Sequence, residues 1–208
     1  MTRHTYSSTA PAYPSGTMEA LLQSDLVTAR TRRVLEERMH LEAEQSPRFF
    51  DDSAYAMLRA ICDRLIPQPD RQRPIEIAAA VDDRLARNVG KGWRYASLPP
   101  DRDAYVLALR GIDECATAWY RSRFVDLAAA QQDEVLTAVQ NGSASGEAWK
   151  LVPPALFFEE LLAELVESYY SHPLAQEEIG YVGFADAHGW QEIGLDELAS
   201  HEPRPLLR

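Results

Sequence analysis

The chain has 208 residues, of which 46% are hydrophobic and 25% charged, and its formal net charge at pH 7 is −11. This length suits one domain with its own core, and the composition is that of an ordinary globular protein. The negative charge repels phosphate backbones, which argues against nucleic acid as a partner. No run of about 18 apolar residues occurs, so we expect no membrane span.

The N-terminal part predicts an arm followed by two helices. Residues 1–16 are rich in Ser, Thr, Pro and Ala and have no apolar periodicity, so we expect a flexible arm. Thr17 is expected to cap a short helix, and a charged amphipathic helix is expected to begin near Thr28. Arg32 and Arg33 are followed by charged residues rather than by an apolar region, which argues against a twin-arginine export signal.

The next two helices are expected on either side of a proline-containing turn. Apolar residues at helical spacing follow a cap at Asp51, Asp52 or Ser53 and stop at Pro67. Pro74 then predicts the first turn of another helix, because its missing N–H costs nothing there. This helix has a buried line of apolar residues at spacing four, Ile77, Val81 and Leu85. Its charged residues are expected to face solvent: Asp82, Asp83 and Arg84.

Three further helices are expected after the loop "GKGWRYASLPPD". The first runs from Arg102 to about Phe124, with Trp119 on its buried face, and the second is expected to be capped by Asp126. Pro153-Pro154 opens the last strong helix, whose apolar line ends at Tyr169. Its glutamates are expected to form the solvent face: Glu160, Glu164 and Glu167.

No segment alternates polar and apolar residues over a strand's length. We therefore predict an all-α fold, a single irregular bundle of about seven helices with a glycine- and aromatic-rich C-terminal loop. The expected organisation is an arm over 1–16, a helical domain over 17–194 and a tail over 195–208. Cys62 and Cys115 lie within apolar helical patterns and are expected to be buried core residues.

The segment 169–190, "YYSHPLAQEEIGYVGFADAHGW", has the composition of a catalytic loop but not the spacing of one. Its glycines do not form GxGxxG, and no strand precedes them. His172 and His188 have acidic neighbours, but both are expected to be loop residues, and no HExxH or ExxH pattern of a metal site occurs in the last strong helix, residues 153–170. Ser171 is not in a GxSxG elbow. We predict no catalytic, cofactor-binding or metal-binding residue in this chain.

The aromatic residues of this segment suggest an interface, because Tyr and Trp combine apolar area with a polar group. The alternative is that they fold back and seal the end of the bundle. Tyr169 is expected to pack inward, whereas Tyr181 and Phe184 are expected to face outward. The interface candidates are Tyr170, His172, Tyr181, Phe184 and Trp190.

Three stretches, in order, resemble the gluconate 2-dehydrogenase subunit 3 family. They are "FFDDSAYAMLRAICDRLIPQPDRQRP" with "AAAVDDRL", "FVDLAAAQQDEVLTAVQNG", and "FFEELLAELVESYYSHPLAQEEIGYVGFADAHGW". Together they cover about residues 49–194. His172 and His188 stand where the family commonly has Asp and Pro, so neither is expected to be an inherited catalytic residue.

The resemblance implies a small accessory subunit that binds a large FAD-dependent dehydrogenase of the glucose–methanol–choline type and supports its folding or export. FAD is then expected in the partner subunit, with a multihaem cytochrome c as electron acceptor where a third subunit exists. Two other hypotheses stay open: a helix-bundle enzyme with a carboxylate/His metal centre, and a free-standing helical interaction protein. Without a signal segment, the expected location is the cytoplasm, unless the complex is exported on the partner's signal.

Overall fold

A computed structural model of the protein describes residues 13–40, 46–69, 71, 74–187, 194–195 and 197. Within these residues there are eight α-helices, two short 3-10 helices and no strand, which confirms the predicted all-α class. None of the described helices combines the length and the apolar character that crossing a membrane requires. The chain divides into two compact units, one formed by residues 1–41 with 169–208 and the other by residues 42–168. The predicted boundaries of arm, domain and tail stay a prediction.

The first unit contains three short helices: α1 (Thr17–Leu22), α2 (Ala29–Met39) and α8 (Pro173–Ile179). The sequence predicts a loop over residues 173–179, so α8 is a helix that was not predicted. It forms because Pro173 occupies the first helical position with a favourable fixed φ, and Gly180, at φ 71°, ends it in the left-handed region. The core of this unit consists of Tyr13, Met18, Leu21, Leu22, Val27, Leu35, Val182 and Phe184.

The second unit contains helices α3 (Asp52–Leu65), α4 (Ile77–Ala86), α5 (Asp101–Tyr120), α6 (Ala129–Gln140) and most of α7 (Pro154–Tyr170). The 3-10 helices are Phe124–Asp126 and Ala148–Lys150. Asp51 caps α3 as predicted, with its carboxylate accepting from the Ala54 N–H at 2.7 Å. The fully buried side chains include Leu58, Ile61, Val81, Leu85, Ile112, Phe124, Val135, Phe157, Leu161 and Leu165.

Two helices begin later than the sequence predicts. Helix α4 starts at Ile77 rather than Pro74, because the Gln68 amide accepts from the Ile75 N–H at 2.8 Å and donates to the Ile75 carbonyl at 3.1 Å. This pairing holds residues 74–76 outside the helix. Asp126 does not cap α6 but ends a 3-10 helix. Ala128 occupies the N-cap position of α6, and its backbone N–H donates to the side-chain oxygen of Gln131 at 3.1 Å.

Helix α5 has a glycine at its centre because a tryptophan lies against it. The Trp149 indole N–H donates to the Gly111 carbonyl at 3.1 Å, and a β-carbon at Gly111 would come within 2.6 Å of the indole ring. Trp119, predicted to be buried, is 45% exposed near the end of this helix. Cys62 and Cys115 are both buried, and burial raises the pKa of each thiol above its usual value.

Candidate functional site

The C-terminal segment 169–187 holds four of the five predicted interface residues, and the structure divides them. Tyr170 and Tyr181 present exposed rings, 45% and 50% accessible. The Tyr170 ring packs edge-to-face against the neighbouring Tyr169 ring at 5.1 Å, so Tyr169 is half-buried rather than a full core residue. Trp190 lies outside the described residues. Tyr170 and Tyr181 are therefore the aromatic side chains that remain available to a partner.

The prediction that Phe184 faces outward is wrong, because its side chain is only 7% exposed. It lies in the core of the first unit with Met18, Leu22 and Val182. The chain on either side follows a tight turn, in which the Ala185 N–H donates to the Val182 carbonyl at 2.9 Å. Phe184 thus supports the alternative that the segment seals a core, while Tyr181 does not.

His172 has a local structural task. Its backbone is extended at the N-cap position of α8, and its Nδ1 accepts from the Leu174 N–H at 3.2 Å. An accepting Nδ1 is unprotonated, so a neutral ring carries its proton on Nε2. The ring is half-buried. This residue sets the start of α8, and its role as an interface residue stays a prediction.

Two acidic side chains of the same segment bind the beginnings of helices. Glu177, 7% exposed, accepts from the Met18 N–H at 3.0 Å, where the preceding Gly16 has no side chain with which to cap α1. Asp186 accepts from the Thr28 N–H at 2.9 Å and from the Thr28 and Thr31 hydroxyls at 2.9 and 2.8 Å. The Thr28 N–H, together with both hydroxyls, lowers the pKa of Asp186.

A buried polar cluster in the second unit contradicts the prediction that Glu164 and Arg84 face solvent. Glu164 is 4% exposed, and its carboxylate accepts from Arg84 Nε and Nη2 at 2.5 and 2.8 Å. The Tyr105 hydroxyl donates to the same carboxylate at 2.6 Å, and Lys91 Nζ lies 3.5 Å from it. Arg84 also donates to Asp101 at 2.7 Å. The cluster is a fork-shaped ion pair with added hydrogen bonds.

The electrostatics of this cluster favour a fixed structure over proton transfer. Burial works against the charge of Arg84, but the hydrogen bonds and charge of Glu164, followed by Asp101, outweigh it and raise the pKa of the guanidinium. Burial, reinforced by Glu164, raises the pKa of Tyr105 well above its usual value. The adjoining cavity has a volume of about 20 Å³, which fits a single water. A carboxylate with this set of partners is poorly placed to act as a general base.

Asp82 is a second buried carboxylate that the sequence reasoning placed in solvent. It is 3% exposed and accepts from the backbone N–H groups of Arg48, Phe49 and Phe50 at 2.6, 3.1 and 2.9 Å. Three backbone donors on one carboxylate hold the chain that leads into α3. Asp82 therefore links α4 to the residues that lead into α3, and we assign it a structural role.

A sequence signal for Glu164 did exist. Phe157, Leu161 and Glu164 are spaced by four and three residues, so a helical turn places the carboxylate on the line of two buried side chains. Within the described residues, no group of three or more His, Cys, Asp or Glu is arranged to hold a metal ion. An open groove of about 360 Å³ lies elsewhere in this unit, lined by residues that include Phe49, Phe50, Met57, Val106, Arg110 and Arg123.

In comparison with known families, residues 52–196 match the family described as gluconate 2-dehydrogenase subunit 3. The matched range is more than half of the chain and begins at the first residue of α3. Comparison with curated proteins and with solved structures gives no match.

Proposed function

This chain belongs to the gluconate 2-dehydrogenase subunit 3 family, and from that membership we propose that it is a non-catalytic small subunit of an FAD-dependent sugar or polyol dehydrogenase. It binds the large flavin-containing subunit and supports that subunit's folding and assembly. The family match carries this proposal, since it runs from the start of α3 through α8.

The chemistry of the described side chains supports a role without catalysis in this chain. Glu164 and Asp82 are each held by several donors, so neither has the freedom of an acid–base group. Cys62 is a buried thiol whose raised pKa keeps it protonated, which is the opposite of an activated nucleophile. FAD and the oxidation step are assigned to the partner, and where a third subunit exists, it is a cytochrome c that accepts the electrons.

The test is to purify the tagged full chain from its native host and from a foreign host. From the native host, we expect it to retain a flavoprotein, visible by flavin absorbance, that oxidises a sugar or polyol with an artificial electron acceptor. From the foreign host, the chain alone should be colourless and inactive in that assay. Activity of the chain alone would overturn the non-catalytic assignment.

For location, we propose that the chain follows its partner: cytoplasmic by itself, and exported within the complex where the partner carries an export signal. Fractionation of native cells with and without the partner gene tests this. We expect the chain to leave the periplasmic fraction when the partner gene is deleted. A periplasmic chain in the deletion strain would contradict export on the partner's signal.

A further inference from the structure

The loop between α4 and α5, which the sequence predicts only as a connection, exposes two large apolar side chains. Trp93 is 64% exposed and Val89 is 52% exposed. A tryptophan turned this far to water is unusual in an isolated surface loop and is typical of a side chain that anchors a protein interface. We call residues 87–95 the Trp93 loop.

Three hydrogen bonds fix this loop to the helices of its own unit. Arg84 Nη1 donates to the Val89 carbonyl at 2.8 Å, Lys91 Nζ donates to the Glu160 carbonyl at 3.2 Å, and the Tyr95 hydroxyl donates to Glu159 at 2.8 Å. Val89 and Trp93 therefore extend from a loop whose two sides are attached to α4 and α7. A loop ordered before binding loses less conformational entropy when it docks.

The Trp93 ring is also positioned. It packs edge-to-face on Tyr95 with ring centroids 4.6 Å apart. The backbone reaches this arrangement through two left-handed positions, Asn88 at φ 55° and Gly92 at φ 84°. The indole is thus held by one neighbour and leaves most of its surface free.

The charge of the loop differs from that of the whole chain. The Trp93 loop contains three basic residues and no acidic one, although the chain carries a net charge of −11. Arg87 is paired with Asp83 and Lys91 with Glu164, whereas Arg94 is exposed and has no ion-pair partner among the described residues. Beside Trp93 there is therefore an unpaired positive charge.

We propose that Trp93, with Val89 and Arg94, is the anchor that docks this chain onto an acidic surface surrounding an apolar pocket on the flavin-containing subunit. This inference rests on the proposed function, and charge complementarity selects the chemistry of the partner surface. The alternative occupant is a second copy of this chain. It would have to bring its own acidic face against this basic loop, either reciprocally in a two-fold dimer or head to tail in a ring or filament.

The test compares two exposed tryptophans in the tagged full chain. Trp93→Ala removes the anchor, and Trp119→Ala, at a residue 45% exposed in α5, is the matched control. Both variants and the unchanged chain are titrated with the flavoprotein purified from the native complex, and melting temperatures are measured alongside. We expect Trp93→Ala to bind at least about 30-fold more weakly with an unchanged melting temperature, and Trp119→Ala to bind normally.

A charge variant separates the basic group from the ring. Arg94→Glu should also weaken binding, and Arg94→Lys should retain most of it, because the positive charge is kept. Equal binding by Trp93→Ala and the unchanged chain would overturn the Trp93 anchor while leaving the accessory role intact. If the unchanged chain itself binds no flavoprotein, the proposed function fails and this inference fails with it.

Discussion

The carboxylate of Glu177, on α8, accepts a hydrogen bond from the backbone N–H of Met18, on α1, across a sequence separation of 159 residues. Glu177 is 7% exposed and Met18 is fully buried. Helix α1 starts after Gly16, which offers no capping side chain, so the cap is supplied from the far end of the sequence. The negative charge at a helix N-terminus is electrostatically favourable as well. The C-terminal segment thus completes the N-terminal helices of the first unit.

Removing the Glu177 cap should destabilise the first unit. We expect Glu177→Ala to lower the free energy of unfolding by about 1–3 kcal/mol, because a buried N–H loses its acceptor. Glu177→Gln keeps an acceptor oxygen and should lose less. The neighbouring Glu178, which is exposed and bonded to Tyr169, provides the control Glu178→Ala, expected to change stability by about 0.5 kcal/mol. Urea denaturation measures all three, and equal losses for Glu177→Ala and Glu178→Ala would contradict the buried cap.

Asp186 should make the free energy of unfolding fall as the pH becomes acidic. The Thr28 N–H and the Thr28 and Thr31 hydroxyls lower the pKa of this carboxyl in the folded state. The stabilisation is therefore fully present above the unfolded pKa of about 3.9 and is lost as pH falls below that value toward the folded pKa. Asp186→Ala should cost about 1 kcal/mol at neutral pH, as for other helix caps.

The measurement is the difference in unfolding free energy between the unchanged chain and Asp186→Ala, from urea denaturation at a series of pH values. The other carboxylates titrate in both proteins, so the difference isolates Asp186. We expect this difference to shrink as pH falls below about 4. A difference that stays constant into the acid range would show that the charge of Asp186 contributes nothing.

The sequence predicted the helical class well, because apolar spacing of three and four residues is strong in α3, α5 and α7. It failed where polar side chains form long-range contacts. Asp82 and Glu164 look like solvent-face residues locally, and only the approach of residues 48–50 and of Arg84 reveals why they are buried. Phe184 follows a glycine in a short loop with no periodicity, so no local signal indicates which way its ring turns.

Removing one charge of the buried Arg84–Glu164 pair should cost more than removing both charges together. Glu164→Leu leaves Arg84 partly buried without its main partner, and we expect a loss of about 3 kcal/mol in unfolding free energy. The double variant Glu164→Leu with Arg84→Met should recover part of this loss, because it removes the unpaired charge but leaves the buried Tyr105 hydroxyl without its acceptor. The control is the exposed pair of Arg64 and Asp133, which has a similar fork geometry at 2.7 Å.

Asp133→Ala should cost no more than about 1 kcal/mol, since exposed ion pairs contribute little. Urea denaturation of the four proteins gives the comparison. If Glu164→Leu costs no more than Asp133→Ala, burial of the Arg84–Glu164 pair has no energetic consequence, and the interpretation of the cluster is wrong.

Gly111 should resist a substitution that normally stabilises a helix. Alanine at an exposed helix-interior glycine gains about 1 kcal/mol, but a β-carbon here would lie 2.6 Å from the Trp149 ring. We expect Gly111→Ala to destabilise by about 1–3 kcal/mol, because the indole must shift and its bond to the Gly111 carbonyl is strained. Gly90→Ala is the control, since nothing lies within 4 Å of its added carbon. Thermal unfolding followed by tryptophan fluorescence distinguishes them, and a stabilised Gly111→Ala variant would refute the close contact.

Substitutions at Tyr181 and Phe184 should distinguish a loss of docking from a loss of stability. The Tyr181 ring is 50% exposed, whereas the Phe184 ring is 7% exposed. Phe184→Ala is expected to cost about 3–5 kcal/mol, as for other buried aromatic side chains, and its binding cannot be interpreted apart from that loss. Tyr181→Ala is expected to leave the melting temperature nearly unchanged. If the segment docks the flavoprotein, Tyr181→Ala alone should weaken binding in the same titration used for Trp93.

A milder variant tests the position of the Tyr181 ring. A β-carbon at Gly183 would lie 2.4 Å from the Tyr181 hydroxyl oxygen, so Gly183→Ala must displace that ring. We expect Gly183→Ala to reproduce part of the binding loss of Tyr181→Ala while the melting temperature stays close to that of the unchanged chain. Normal flavoprotein binding by both variants would show that the Tyr181 ring does not contact the partner, and Tyr170 would then be the remaining exposed aromatic candidate of residues 169–187.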